Sequence, residues 1–227
     1  MGNKWWFLSP LYWILAALPL MAAFWVFLEM PTIVEITPGY TATTGRATVL
    51  LLPMVNAAVA ALLHIAAGRV TQQIEEQFRT QGRKSDAAAV IPGLKVFMMA
   101  YLSAICLAVV YGHYVLDAGH LTGALIGRIS ALIPGFGMAL FAMRLSHATK
   151  DSLLALRWHY TEKSNQVWHK THKLGAGVLY AVGMIMVLTA FLTDGIVAVT
   201  AAVLAVSVPY FGLYLYAKRL YEDEFYR

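Results

Sequence analysis

Six stretches of this chain are long and apolar enough to cross a bilayer, and they decide the fold before any motif is considered. They run approximately over residues 10–29, 46–67, 94–116, 121–143, 174–193 and 196–217. A hydrocarbon core about 30 Å thick takes roughly 20 apolar residues in a helix. No water reaches the backbone there, so each stretch must satisfy its own hydrogen bonds as an α-helix. Only 13% of the 227 residues are charged, where soluble domains carry about 25%. The apolar run after Lys4 has no small-residue cleavage site before Pro31 and reads as a retained first span rather than a signal peptide. The expected fold is all-α, a polytopic transmembrane bundle of six helices. The single cysteine, Cys106, lies inside a span, which excludes an intramolecular disulfide and argues against a cysteine-based metal site.

The basic residues give the orientation. Fifteen of the seventeen lysines and arginines fall on one side: Lys4, five from Arg69 to Lys95, six from Arg144 to Lys173, and Lys218, Arg219 and Arg227. Arg46 and Arg128 are the exceptions. The positive-inside rule then predicts that both termini are cytoplasmic. The net charge of +5 is topological, and the expected partner is the lipid bilayer, with no direct nucleic-acid role. Glu29, Glu35, Asp117 and Asp194 gather on the outer face. The first outer loop is punctuated by Pro31, Pro38, Gly39 and Gly45, and its Thr- and Val-rich middle has room for a short extended piece. The third and fifth connections are short, which makes hairpins of helices 3–4 and 5–6. In RVTQQIEEQFRTQGRKSD, Ile74 and Phe78 share a helical face and Glu75–Arg79 is an i,i+4 pair, predicting a cytoplasmic extension of the second helix that ends near Gly82. The chain divides as 1–93, a two-span hairpin with this extension, and 94–227, four spans with a cytoplasmic loop over 144–173. Pro19, Pro53, Pro134 and Pro209 fall inside spans and predict kinks. Gly123/Gly127, Gly135/Gly137 and Gly175/Gly177 suit close helix packing. Trp5, Trp6, Tyr12 and Trp13, with Tyr210, Tyr214 and Tyr216, fit an interfacial aromatic belt.

Several polar residues carry chemical options. Arg128 lies within the fourth span, where insertion of an arginine costs roughly 2.5–3.5 kcal/mol at the helix centre. Three readings are open for it: a ligand-facing charge partnered by Asp117, Glu29, Asp194 or His113, a lock between helices, or a side chain that snorkels outward. His113, Asp117 and His120 in GHYVLDAGH are weak candidates for a three-ligand zinc site with an open position; hydrogen-bonded interfacial residues are the plainer reading. Asn56 and His64 share a face of helix 2, where an interhelical hydrogen bond is the simplest role. His169 and His172 are i,i+3, with His147 and His159 nearby, but no HExxH pattern accompanies them. No nucleophile elbow, phosphate-binding loop, dinucleotide fingerprint or paired catalytic carboxylate occurs. The expectation is therefore no catalytic residue, no metal, no cofactor and no enzymatic activity.

The segment from Arg144 to Gly177 stands apart. It is polar, basic and aromatic, and carries six of the seventeen lysines and arginines and four of the seven histidines. It lacks the Gly/Ser/Pro bias of a slack linker. Ser164 followed by Val167 and Trp168 reads as a helix start; Trp168 and His172 share a face, and Arg157 is placed for a cation–π contact with Trp168. The stretch Ser164-Asn-Gln-Val-Trp-His-Lys-Thr-His-Lys-Leu-Gly175 resembles the signature of the SdpI-type bacterial immunity proteins. Val167, Trp168, Thr171 and His172 match its VWxxTH half; Arg157 and Thr161 match the upstream arginine and threonine. Asp151 stands where that family has asparagine, Ala155 where it has glycine, and Trp158-His159-Tyr160 where it has Thr-Pro-Trp.

The resemblance implies a six-span protein of the bacterial cytoplasmic membrane that gives resistance to a membrane-active toxic peptide. It also implies signalling, with a cytoplasmic regulator held at the 144–173 loop and the toxic peptide met at the outer face. Two other readings stand beside it: a transporter or small-molecule binder with Arg128 in a polar cavity, and a metal-dependent membrane enzyme using His113, Asp117 and His120.

Overall fold

The structure, a computed structural model, describes residues 8–29, 33–35, 43–115, 119–193 and 195–225. Helix α1 spans Leu8–Glu29, and a two-stranded antiparallel ribbon pairs β1 (Ile33–Glu35) with β2 (Thr43–Gly45), Val34 opposite Thr44. A 3-10 turn, Arg46–Leu50, leads into α2 (Leu51–Thr80). Helix α3 (Ala87–Val109) runs on as a π-helical stretch, Val110–Val115. Then come α4 (Gly119–Leu145), the short α5 (His159–Lys163), α6 (Asn165–Leu192) and α7 (Gly195–Phe225). Six of these helices are long and apolar enough to cross a membrane. The all-helical architecture expected from the sequence is present, with the small ribbon in the first long connection. We call the end carrying that ribbon and the two short hairpins the hairpin end, and the opposite one, carrying α5, the loop end.

The packing is that of a protein dissolved in lipid. Large apolar side chains face outward: Ile196 is 84% exposed, Leu192 78% and Met21 70%. The core between α4, α6 and α7 is rich in small residues instead. Ala131, Ala190, Ala198 and Ala202, with Val182 and Met186, hold α4, α6 and α7 together. Small side chains let helix backbones approach where lipid gives no hydrophobic drive to associate. The most extensive contact is α4 on α6. A Cβ on Gly183 would lie 2.6 Å from the Gly135 carbonyl oxygen, and one on Gly135 would lie 2.9 Å from that of Gly183. Gly127 of α4 meets the Gly195 backbone in the same way. Of the predicted glycine pairs, Gly127, Gly135, Gly137 and Gly175 are at contacts, whereas Gly123 and Gly177 face open space.

Helices α1, α2 and α3 form a second cluster around Tyr12, Ala16, Ala60, Val96 and Met99. Polar bonds cross it. Tyr12 donates its hydroxyl to the Ala60 carbonyl, the buried Asn56 gives an amide hydrogen to Ser103 Oγ (3.4 Å), and Ser103 donates to the Leu15 carbonyl (2.8 Å). Helix α3 also packs on α4, joining the two clusters. Pro53 sits in the first turn of α2, where its missing N–H removes no intrahelical bond, so it marks a start rather than a kink. Pro19, Pro134 and Pro209 lie inside their helices as expected.

Helix α2 ends as its sequence predicts. Gly82 adopts φ +67°, a left-handed conformation open to glycine. Its N–H reaches the Arg79 carbonyl (3.1 Å), and the Arg83 N–H reaches that of Phe78 (2.9 Å). This paired closure is a Schellman motif. It turns the chain so that Arg83 and Asp86 face the loop after α4.

Candidate functional site

The connection between α4 and α5, residues 146–158, has no regular structure of its own, yet it is tied down at both ends and in the middle. The ties at its two ends come chiefly from the polar residues that the sequence concentrates at the start of α6. Ser164 caps that helix: its Oγ accepts from the N–H groups of Gln166 and Val167 (both 3.2 Å) and donates to Glu224 Oε2 at the end of α7 (2.6 Å). An N-cap serine satisfies amides that have no intrahelical partner. One turn on, Val167, Trp168, Thr171 and His172 are all buried.

Trp168 and His172 hold the loop. Their rings stack with centroids 4.0 Å apart, tilted by 21°. The Trp168 indole N–H donates to the Ala148 carbonyl (3.1 Å). His172 Nε2 accepts from the Leu156 backbone N–H (3.0 Å), and Nδ1 lies 2.8 Å from the Trp168 carbonyl oxygen. These partners fix the tautomer. An amide N–H only donates, so Nε2 is bare; a carbonyl only accepts, so Nδ1 carries the hydrogen. His172 is a neutral imidazole with both nitrogens engaged. That removes it from a metal-binding pair with His169, which is exposed one turn earlier.

Leu156 is gripped on its other side too. Thr161, fully buried, donates its hydroxyl to the Leu156 carbonyl (2.9 Å) and accepts from the Trp158 N–H (3.0 Å). The Thr171 hydroxyl is equally buried and has no hydrogen-bond partner. The middle of the loop is held from the α2–α3 connection. Asp86 Oδ2 accepts from Ser152 Oγ (2.6 Å) and its Oδ1 from the Leu153 N–H (2.9 Å), while Arg83 pairs with Asp151. Arg157 lies over the ring of Phe78 at 5.8 Å, with Arg83 over the same ring at 5.4 Å. The predicted cation–π partner, Trp168, is instead covered by His172, because the loop path carries Arg157 toward α2. Arg157 also donates to the Ser152 carbonyl (3.1 Å).

Residues 148–214 match the SdpI/YfhL protein family. This part of the chain is similar to the SdpI/YfhL family. No curated protein and no solved structure matches the chain. The SdpI/YfhL region begins at Ala148, the residue held by the Trp168 indole, and covers the loop, α5, α6 and much of α7. Of the motif positions within it, Thr161, Val167, Trp168, Thr171 and His172 are buried, and Thr161, Trp168 and His172 fasten the loop. Together with the six apolar helices, the family region marks a multi-pass membrane protein.

The other predicted positions lie apart from this region. His64 sits against the Tyr12 and Trp13 rings with Nδ1 3.1 Å from Lys95 Nζ, and Lys95 lies 4.5 Å over the Tyr12 ring. Arg128 is exposed on α4 and lines neither of the cavities at the loop end. Glu29 is exposed and accepts from the Trp25 indole (2.7 Å). The side chains of Glu35, His113 and His120, and the whole of Asp117, lie outside the described residues. Among the described residues no group of three His, Cys, Asp or Glu could hold a metal ion. The sequence reading placed Phe78 only on a helical face and gave no contact to Arg83, Asp86 or Glu224, all partners of the loop region. The one available signal was Asp86 just before a helical run. It reads as an N-cap but makes no side-chain cap bond and spends its carboxylate on the loop.

Proposed function

We propose that the chain is an immunity and signalling protein of a bacterial cytoplasmic membrane, protecting the cell against a membrane-active toxic peptide. In this reading the loop end is cytoplasmic, the acidic hairpin end meets the peptide, and the 144–173 loop offers the surface at which a cytoplasmic regulator is held. The observation that carries the proposal is the SdpI/YfhL match, which falls on the loop and on the α6 turn that fastens it. The double attachment of the loop supports a relay. It is bonded to α6 on one side and to the α2–α3 connection on the other, so a shift of either helix cluster within the membrane reaches the loop.

The test is expression in a strain sensitive to such peptides. Survival at peptide levels that kill the parent strain is expected, and it should fall when the loop is cut free by substituting Trp168 and His172 together at unchanged membrane abundance. Absence of protection against every peptide tried, with the protein confirmed in the membrane, rejects the proposal.

A further inference from the structure

We propose that the crease between the loop and the first turn of α6 binds a phosphate-bearing anion, either a soluble phosphate monoester or the phosphodiester headgroup of a lipid. Two adjoining cavities of about 450 and 360 Å³ open there and share His147, Ala148 and Thr149. The larger is of a size suited to small ligands, roughly 300–1,000 Å³. Its wall offers the polar groups of Ser146, Thr149, Lys150, Asn165 and His169, and no carboxylate. The smaller adds Arg144 and Asp86. Both oxygens of Asp86 already accept hydrogen bonds from Ser152 and Leu153, so this carboxylate is committed to the loop.

The chemistry of the wall selects an anion. Lys150 gives one hydrogen to the Glu162 carbonyl (2.9 Å); an ammonium has three. The floor, the Trp168–His172 stack, is neutral, and its N–H groups are already bonded to the loop and the helix. What remains in the larger cavity are the Lys150 ammonium and the Thr149 hydroxyl, from the 146–150 loop, and the polar groups of Asn165 and His169, from the start of α6. A phosphoryl group presents several acceptor oxygens in a tetrahedral spread and can accept from both elements at once. The site stands independently of the immunity reading, since it rests on the crease alone.

The test uses the full chain in phosphatidylcholine nanodiscs. In one arm, sn-glycerol 3-phosphate is titrated and its heat of binding measured; in the other, phosphatidylglycerol is introduced into the disc and the thermal unfolding midpoint followed. A saturable response in at least one arm is expected. It should weaken at least tenfold, or the shift vanish, in the Lys150→Met/His169→Gln variant, and persist in Lys163→Met, which removes a charge at the same end but outside both cavities. A response to the soluble probe assigns a free phosphate ester; a response to the lipid alone assigns a headgroup. If the double variant fails to fold, His169→Gln alone, at an exposed position, must weaken the response at least threefold. No saturable response in either arm overturns the site. So does equal weakening by Lys163→Met, which would mean diffuse charge attraction.

Discussion

His172 and the two buried threonines separate what a motif residue is from what it does. Thr161 and Thr171 are both fully buried, but only Thr161 uses its hydroxyl. Replacing Thr161 by valine should therefore strand the Trp158 N–H and cost about 1–3 kcal/mol, the range for an orphaned buried polar group. Thr171→Val removes a hydroxyl that has no partner and should leave the stability unchanged or raised. Unfolding of the two variants in detergent compares them directly, and equal losses would contradict the assignment. His172→Phe keeps the stack on Trp168 but leaves the Leu156 amide without an acceptor. Faster hydrogen exchange at Leu156, with the α6 core still protected, is the expected outcome. The VWxxTH spacing was legible in the sequence because one helix carries all of it. Its partner was not: the acceptor on His172 engages a backbone amide 16 residues earlier, and any residue at that position would present the same group. Arg157 shows the converse, a cation whose aromatic partner was set by where the loop runs rather than by distance along the chain.

Helices make their contacts through shape, and the glycines show how far a sequence discloses it. Gly135 and Gly177 each belong to a small-residue pair, and nothing in the letters separates them. Only packing does: Gly135 faces the Gly183 carbonyl and Gly177 faces open space. Gly183→Ala should drive α4 and α6 apart and destabilise the bundle by about 1–3 kcal/mol, as overpacking does. Gly177→Ala should be neutral or gain up to ~1 kcal/mol from helix propensity. Titration with a denaturing detergent ranks the two, and reversal of the order would place the α4–α6 contact elsewhere. The end of α2 was legible to within two residues, because Ile74, Phe78 and Gly82 carry periodicity and termination together. The clasp beyond it was not, since Arg83 and Asp86 look like ordinary solvated charges. Its ion pair is modest: Arg83 and Asp151 side chains are 43% and 40% exposed, and exposed pairs contribute about 0–1 kcal/mol. A double-mutant cycle on Arg83 and Asp151 should return a coupling in that range, while Asp86→Ala, which strands the Leu153 N–H, should cost more than either single change.

At the scale of the molecule, two helix clusters meet along α3 and α4 and are joined again at the loop end by the Phe78–Asp86 connection. The lipid-facing surface follows from hydropathy alone, and its many large exposed apolar side chains fit no aqueous fold. Orientation follows from a different term, the sorting of lysine and arginine, which acts during insertion and leaves no mark on side-chain packing. The two are therefore independent, and orientation needs its own experiment. Cys106 is 2% exposed and should stay silent to a membrane-impermeant maleimide, so single cysteines can be read against it. Lys163→Cys, at the exposed end of α5, should label only after the cells are opened. Glu29→Cys, exposed at the opposite end of α1, should label on intact cells. The reversed pattern would turn the loop outward, away from any cytoplasmic regulator, and would set fifteen of seventeen basic residues against the rule that placed them. Labelling at both positions from one side would be graver, because α2, α3 and α4, the three spans between them, could not then all cross the bilayer and the six-span arrangement would fail with it.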